Sequence, residues 1–259
     1  MRATRSSRVS PGRAIAVVLA TAAMSLPVAT GSLLAQDRGN PEWHWVVHPT
    51  LWFANVDGLV TMGDASLEVG DSTLVASFSG EFEVGKGRWR AIGAFYDTNL
   101  DGSGEIEGGP LPVGTAVSYD FQLTYAELFA SVEVGSFDTN QALEFMGGLR
   151  YVRHRLDVGG GGGTLFVRES WVEPVVGARY YAEMGRTFWV TIDGNMGGFG
   201  IGSTIAWVLR GTLGVRVYGP VDLTLATRYY ETQYENSDTG YVWDEGVGQG
   251  WHLGLRIKG

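Results

Sequence analysis

The feature that most constrains this chain is a side-chain period of two. Ile205, Trp207, Leu209, Leu213, Val215 and Val217 fall on one side of that period, with Gly211 among them. Ala206, Val208, Arg210, Thr212, Gly214 and Arg216 fall on the other. A helix scatters such residues round its axis, whereas a strand sorts them onto two faces. The pattern recurs. Trp43, Trp45, Val47, Leu51 and Phe53 oppose Glu42, His44, His48 and Thr50. Val172, Val176, Ala178 and Tyr180 oppose Glu173, Gly177 and Arg179. Val221, Leu223, Leu225 and Tyr229 oppose Asp222, Thr224, Ala226 and Arg228. Trp251, Leu253, Leu255 and Ile257 oppose His252, Gly254, Arg256 and Lys258.

The alternation predicts about ten strands, with eight as the alternative count, at roughly 41–55, 74–84, 88–99, 115–134, 141–156, 165–183, 188–196, 204–218, 221–233 and 247–258. The segment 58–69 reads as an extension or a further hairpin. The phase slips near Tyr125 to Glu127, which predicts a bulge. Pro49 and Pro174 each remove one ladder hydrogen bond. Tight turns are expected at Gly85-Lys86-Gly87, Ser136 to Asn140, Gly185 to Thr187 and Gly219-Pro220. Longer links are expected at about 56–73, 100–114, 157–164 and 234–246, and a short glycine-rich link at 197–203.

An even number of strands with short turns at one end and longer loops at the other predicts an all-β fold, a closed antiparallel transmembrane β-barrel. The sorted faces give the orientation. The apolar face is bulky, and the polar face mixes Gly, Ala, Ser and Thr with charges, as a narrow lumen requires. The apolar face then looks into lipid, where every backbone group must pair within the sheet. A soluble barrel, with that face inside, is the alternative. Interface aromatics are expected at Trp43, Trp45, Tyr180, Tyr229 and Trp251.

Residues 1–36 read separately. Arg2, Arg5, Arg8 and Arg13 precede the apolar stretch Ala14 to Ala29, and Ala35 before Gln36 is a cleavage point, with Gly31 the alternative. This is the layout of a secretory signal peptide, leaving 37–259 as the barrel. Loss of the four arginines takes the net charge from −9 to about −13. So acidic a chain is a poor partner for nucleic acid. With no cysteine it has neither disulfides nor thiolate chemistry.

Several stretches resemble a family of uncharacterised small outer-membrane β-barrel proteins of the porin-like group, over residues 41–259. They are Trp45-Val-Val-His-Pro49-Thr-Leu-Trp52, Gly87-Arg-Trp89 before a strand with Asp97, Glu173-Pro-Val-Val-Gly177-Ala-Arg179-Tyr180, Asp193-Gly-Asn-Met-Gly-Gly-Phe199-Gly-Ile-Gly-Ser203, and Arg228-Tyr229. The resemblance implies a fold and an outer-membrane location, with outer-membrane lipid, lipopolysaccharide and the barrel-insertion machinery as partners. It implies no activity. This chain departs from such barrels in ending Leu255-Arg256-Ile257-Lys258-Gly259 rather than on an aromatic residue.

The expected lumen carries Glu81, Glu83, Asp97, Glu144, Arg150, Glu173, Arg179, Asp193, Arg210, Arg216, Arg228 and Arg256. Both signs occur in similar numbers, so a network of ion pairs plugging a narrow barrel is favoured over a charged pore for small solutes. His44 and His48 share a face but lie about 13 Å apart along a strand, too far to chelate one metal. Asp97-Thr-Asn99-Leu-Asp101-Gly102 opens like a calcium loop, but Gly108 stands where the bidentate Glu belongs. The run Gly159 to Gly163 lacks the Lys-Ser/Thr pair of a phosphate cradle. No metal or cofactor is expected. A lipid-modifying enzyme would need a serine beside His154, and none shares its face, so no catalysis is expected. The other alternative is surface binding to lipopolysaccharide or a partner through Glu231, Glu235, Asp238, Asp244 and Glu245, bridged by cations.

Overall fold

A computed structural model describes residues 42–70, 75–108, 114–138, 140–160 and 163–259. The expected signal peptide, residues 1–36, lies outside them. The strands are β1 (Trp43–Met62), β2 (Ala65–Gly70), β3 (Val75–Lys86), β4 (Trp89–Gly108), β5 (Thr115–Asp138), β6 (Gln141–Gly160), β7 (Gly163–Met184), β8 (Phe188–Gly197), β9 (Ile205–Tyr218), β10 (Val221–Asn236) and β11 (Tyr241–Lys258).

All pair antiparallel in one ring-like sheet, from β3 to β11 each with its sequence neighbours, and β11 returns to pair with β1. β2 and β3 lie end to end on one side of β1, opposite Asp57–Met62 and Trp43–Ala54 respectively, and both also touch β4. They share one place in the wall, which makes ten places round the ring. The turns β3–β4, β5–β6, β7–β8 and β9–β10 and both described chain ends lie together at what is here the foot, while the short β1–β2 and β10–β11 turns meet at the opposite end. There the Trp45 amide donates to the Gly259 carbonyl at 2.8 Å, and the Gly259 amide returns a bond to Trp45 at 3.0 Å. Gly87, with φ of 61°, supplies the left-handed residue of the tight β3–β4 turn.

The strands run further from the foot than the alternation suggests. β1 continues to Met62, β4 to Gly108 and β10 to Asn236, through segments expected as loops. In these outer stretches the pattern inverts. Val56, Val60, Leu100, Leu156 and Val158 point inward and are buried, while Asp101, Ser118 and Asp120 point outward. The calcium-like stretch from Asp97 accordingly lies within β4 and is not a loop.

Irregularities fall elsewhere than expected. Val117, Tyr119, Phe121, Leu123, Tyr125, Glu127, Phe129 and Ser131 keep one parity and all point inward, so β5 does not slip near Tyr125. The apparent slip is a change of chemistry along one inward face. The register of β5 shifts instead between Glu133 and Gly135, and again before Asp138. A second bulge in β11, opposite Asp57/Leu59 and Thr232/Tyr234, reverses that strand's parity. Tyr241 and Trp243 point inward before it, and His252 and Gly254 after it. Pairing of β1 with β11 lapses at His48 and Pro49.

Pro174 marks a further break. β8 pairs with β7 only from Val175 footward, so Gly163–Pro174 has no β8 beside it. The β8–β9 link folds back tightly with positive φ at Gly198, Phe199, Gly200 and Gly202. A notch is left in the wall between β7 and the tip of β10, crossed by side chains. Trp171 stacks on Tyr234 at 3.8 Å, and Glu169 accepts from Tyr234, Asn236 and Thr239.

Close strand contact gives one test of this packing. A Cβ on Gly148 would lie 1.9 Å from the Leu128 carbonyl oxygen, whereas nothing lies within 4 Å of one on Gly135. Gly148→Ala is expected to lower unfolding free energy by about 1–3 kcal/mol. Gly135→Ala should change it by less than about 0.5 kcal/mol. Urea titration of the refolded protein followed by tryptophan fluorescence reads both.

Candidate functional site

The inward faces of the footward half carry a nearly dry layer of charges. Arg150 is fully buried. Its Nε donates to Glu127 and its Nη1 to Glu173, each at 2.7 Å, and its Nη2 donates to Asn195 Oδ1. Glu173 also accepts from the Trp171 indole at 3.2 Å and from Ser203 Oγ. Arg228 lies 3.7 Å from Glu127, its guanidinium 4.3 Å from the Tyr96 ring and a little over 5 Å from those of Tyr125 and Tyr230. Three rings round one cation lower the cost of burying it.

A second group lies nearer the foot. Arg210 bridges Glu81 at 2.8 Å and Asp193 at 3.0 Å. Arg179 reaches Glu83 at 3.3 Å and Glu81 at 3.6 Å. Arg90 lies 3.2 Å from Glu83 and 3.0 Å from Glu144, the latter approach lacking hydrogen-bond geometry. At the mouth of the foot Arg216 pairs with Glu183 at 2.6 Å. Arg256 and Lys258 flank Asp222 at 3.6 and 3.3 Å, and Asp222 also accepts from the Trp189 indole.

Eleven of the twelve charges read from the sequence thus face this interior, in three linked groups. Asp97 does not. It shares the outward parity of Trp89 and Phe95 and accepts from Thr124 at 2.6 Å and Gln122 at 3.3 Å. The reason is local: Tyr96 and Thr98 take the inward positions of β4. Arg90, Glu127, Glu133, Glu183, Asp222 and Lys258 also join the network; the alternation puts Asp222 and Lys258 on the polar face without assigning them to it, and the other four are not singled out by sequence reasoning. Glu127 is hidden by the apparent phase slip. Arg90 is hidden because Ile92, Ala94 and Tyr96 make its own face look apolar.

Away from the foot the interior is not ionic, contrary to expectation. Phe121 stacks on Trp243 at 5.1 Å, and His154 meets Phe121, Trp171 and Trp243 edge-on at 5.3, 4.9 and 4.9 Å. Trp52, Tyr96, Tyr125 and Tyr230 carry this packing down to Arg228. Three small spaces, about 50, 30 and 10 Å³, lie between the side chains in the footward and middle parts. Each has room for a few waters at most.

No catalytic arrangement emerges from these side chains. His154 Nδ1 meets the Tyr241 hydroxyl at 2.9 Å, and its ring is enclosed by aromatics. Ser79 Oγ and His252 Nδ1 are 3.2 Å apart, but both residues are buried and no carboxylate orients the other ring nitrogen. His48 meets the Thr224 hydroxyl at 2.7 Å. Among the described residues no three His, Asp or Glu side chains are grouped to hold a metal ion.

The outer face is the reverse of a soluble protein's. Trp43, Leu51, Phe78, Phe82, Leu128, Phe145, Val176, Leu225 and Leu253 are all exposed. Trp43 and Trp45 lie exposed near the foot, and Trp251 is exposed about half-way up. Tyr180 and Tyr229 are half-buried and donate to Gln141 and Glu231.

No family model and no curated protein matches the sequence. Solved structures resemble the fold distantly. The translocator domain of autotransporter NalP from Neisseria meningitidis aligns at 12% identity and a TM-score of 0.43, covering 95% of this chain and 94% of that one. Outer membrane protein OprG from Pseudomonas aeruginosa aligns at 9% identity and 0.40, covering 85% and 98%. Ail, the attachment invasion locus protein of Yersinia pestis, aligns at 11% identity and 0.39, covering 83% and 98%. Resemblance at that level carries no activity across.

The ion network yields a second prediction. Arg150→Met leaves Glu173 without a cation and Glu127 with only the longer contact to Arg228, and should lower stability by about 3–5 kcal/mol. Adding Glu127→Gln and Glu173→Gln should restore much of that loss. Denaturant midpoints of the single and triple variants measure it, and equal midpoints would mean that unpaired Glu127 and Glu173 are not what the single variant loses stability to.

Proposed function

We propose that this protein is an outer-membrane β-barrel with a plugged interior, a structural wall element rather than an open channel or an enzyme. One observation carries the reading: large apolar side chains cover the outside of a ring-like sheet, while arginines and carboxylates are buried within it. In water that arrangement is inverted, and lipid makes it favourable. Strand length supports it as well. A strand of about 9–11 residues crosses the hydrocarbon layer, and the apolar stretch Trp43 to Phe53 of β1 is of that length. Trp43, Trp45 and Tyr180 suit one interface, and Trp251, Tyr229 and Tyr151 the other. The foot then faces the periplasm and the long strand ends face outward. The leader over residues 1–36 fits export to that membrane, and the resemblance to uncharacterised small porin-like barrels agrees with the location.

The plug favours silence over conduction. Ion pairs occupy the footward half and stacked rings the outward half, and the spaces between them hold a few waters at most. The twelve sequence-derived charges, Asp97 excepted, act in this reading as mutual partners and not as a filter.

Two measurements test the proposal. The refolded protein should show heat-modifiable gel mobility and no steady conductance in a planar bilayer. Stable unitary steps would replace the plug with a pore. Leu225→Arg, on the outward face, should cost about 2–4 kcal/mol of stability in lipid vesicles. A change near zero there would mean that the face is not in hydrocarbon.

A further inference from the structure

The outer face of β6 and β7 carries a charge arrangement that the plugged-barrel reading leaves unused. The last apolar row on this side of the wall runs across four strands as Phe95, Ala126, Tyr151 and Val172. The next row outward is Asp97, Thr124, Arg153 and Ser170, and the one after it Asn99, Gln122, Arg155 and Arg168. A further step brings Asp101, Asp120, Asp157 and Phe166. The sign of charge therefore changes along the strands, from an arginine cluster at the edge of the apolar band to an aspartate row about 7 Å beyond it.

Arg155 and Arg168 stand directly opposite each other. The Pro174 carbonyl accepts from Gly198, on the side of β7 away from β6. Even-numbered β7 residues thus turn their backbone groups away from β6, and Arg155–Arg168 is a non-hydrogen-bonded pair, the type with the closer side chains. Like charges so placed are destabilising unless an anion lies between them. Arg155 has one partner, Asp157 at 3.0 Å on its own strand. Arg153 and Arg168 are exposed and have no ion pair among the described residues. Asp97, the acid in the row of Arg153, is held by Thr124 and Gln122. General attraction does not explain an anion here, because the chain as a whole is negative.

We infer that Arg153, Arg155 and Arg168 bind the phosphate groups of a phosphorylated glycolipid in the outer leaflet. This rests on the membrane reading above. The depth is that of a headgroup, immediately beyond Tyr151 and Val172. Guanidinium forks match phosphate oxygens in bidentate fashion. The aspartate row excludes the anion from further out and so fixes its level. Arg153 and Arg155, two residues apart on one strand, and Arg168 opposite Arg155 place three forks round one site.

The test is calorimetric titration of bisphosphorylated lipid A in zwitterionic micelles into the detergent-solubilised protein. Wild type should bind it, and phosphatase-treated lipid A should bind at least about tenfold more weakly. Arg153→Gln with Arg168→Gln should weaken binding of the bisphosphorylated lipid to a similar extent, while Arg186→Gln, at the foot, should leave it unchanged. Equal binding by the double variant, equal binding of the dephosphorylated lipid, or equal loss in Arg186→Gln overturns the site. Displacement by equimolar inorganic phosphate would overturn its assignment to lipid. Heat-modifiable mobility of the same samples separates the two readings. If it is present without lipid binding, only the arginine site falls; if wild type lacks it, the membrane reading falls too.

Discussion

At the foot of the wall Trp45 and Gly259 exchange two backbone hydrogen bonds, and from there the ladder between β1 and β11 climbs to Met62 and Tyr241. That seam is the constraint on which the remainder depends. A sheet with two free edges would expose a column of unpaired donors and acceptors, which hydrocarbon cannot solvate. Once first and last strands pair, the inward faces enclose a space too narrow for bulk water. The charges there are then left with one another. Arg150 between Glu127 and Glu173, or Arg210 between Glu81 and Asp193, follows from enclosure as much as from sequence.

The interior is organised by depth. Footward, where the outer face is greasiest, the inner face is ionic. Outward, where Asp101 and Asp120 meet the exterior, the inner face is aromatic and aliphatic. Each level thus has one polar and one apolar side, exchanged about midway. Arg228 sits at the exchange, ion-paired to Glu127 below and surrounded by Tyr96, Tyr125 and Tyr230. Aromatic rings accept a cation on their faces, so this side chain joins two media that otherwise have no common chemistry.

How much of this was legible in the sequence depended on that exchange. Wherever the outward residues are greasy, as in Ile205 to Val217 or Trp251 to Ile257, alternation gave strand, face and nearly the boundary. Beyond the midpoint the hydrophobic phase inverts, and Val56, Leu100 and Val158 read as stray residues in loops although they continue the inward face. The bulge in β11 conceals Tyr241 and Trp243 in the same way, because one extra residue reverses the parity used to place them. Glu127 fell at the switch in β5 and was lost to an apparent slip. Asp97 lies outward although its charge predicts a lumen position, because outward polar rows exist as well. Cross-strand proximity, such as Arg155 facing Arg168, is a matter of register between strands, and no single segment encodes it.

The short β8–β9 hairpin has its own consequence. Elsewhere strand pairs rise well past the apolar band, but on this side β8 stops at Gly197, and β7 continues beyond it paired with β6 alone. The stacked rings of Trp171 and Tyr234 take over as cladding, a low parapet in an otherwise tall rim. The ring-packed interior is therefore open to approach from the side as well as from above, and what closes it there is a handful of side chains, Glu169 and its partners among them, and not a hydrogen-bonded sheet.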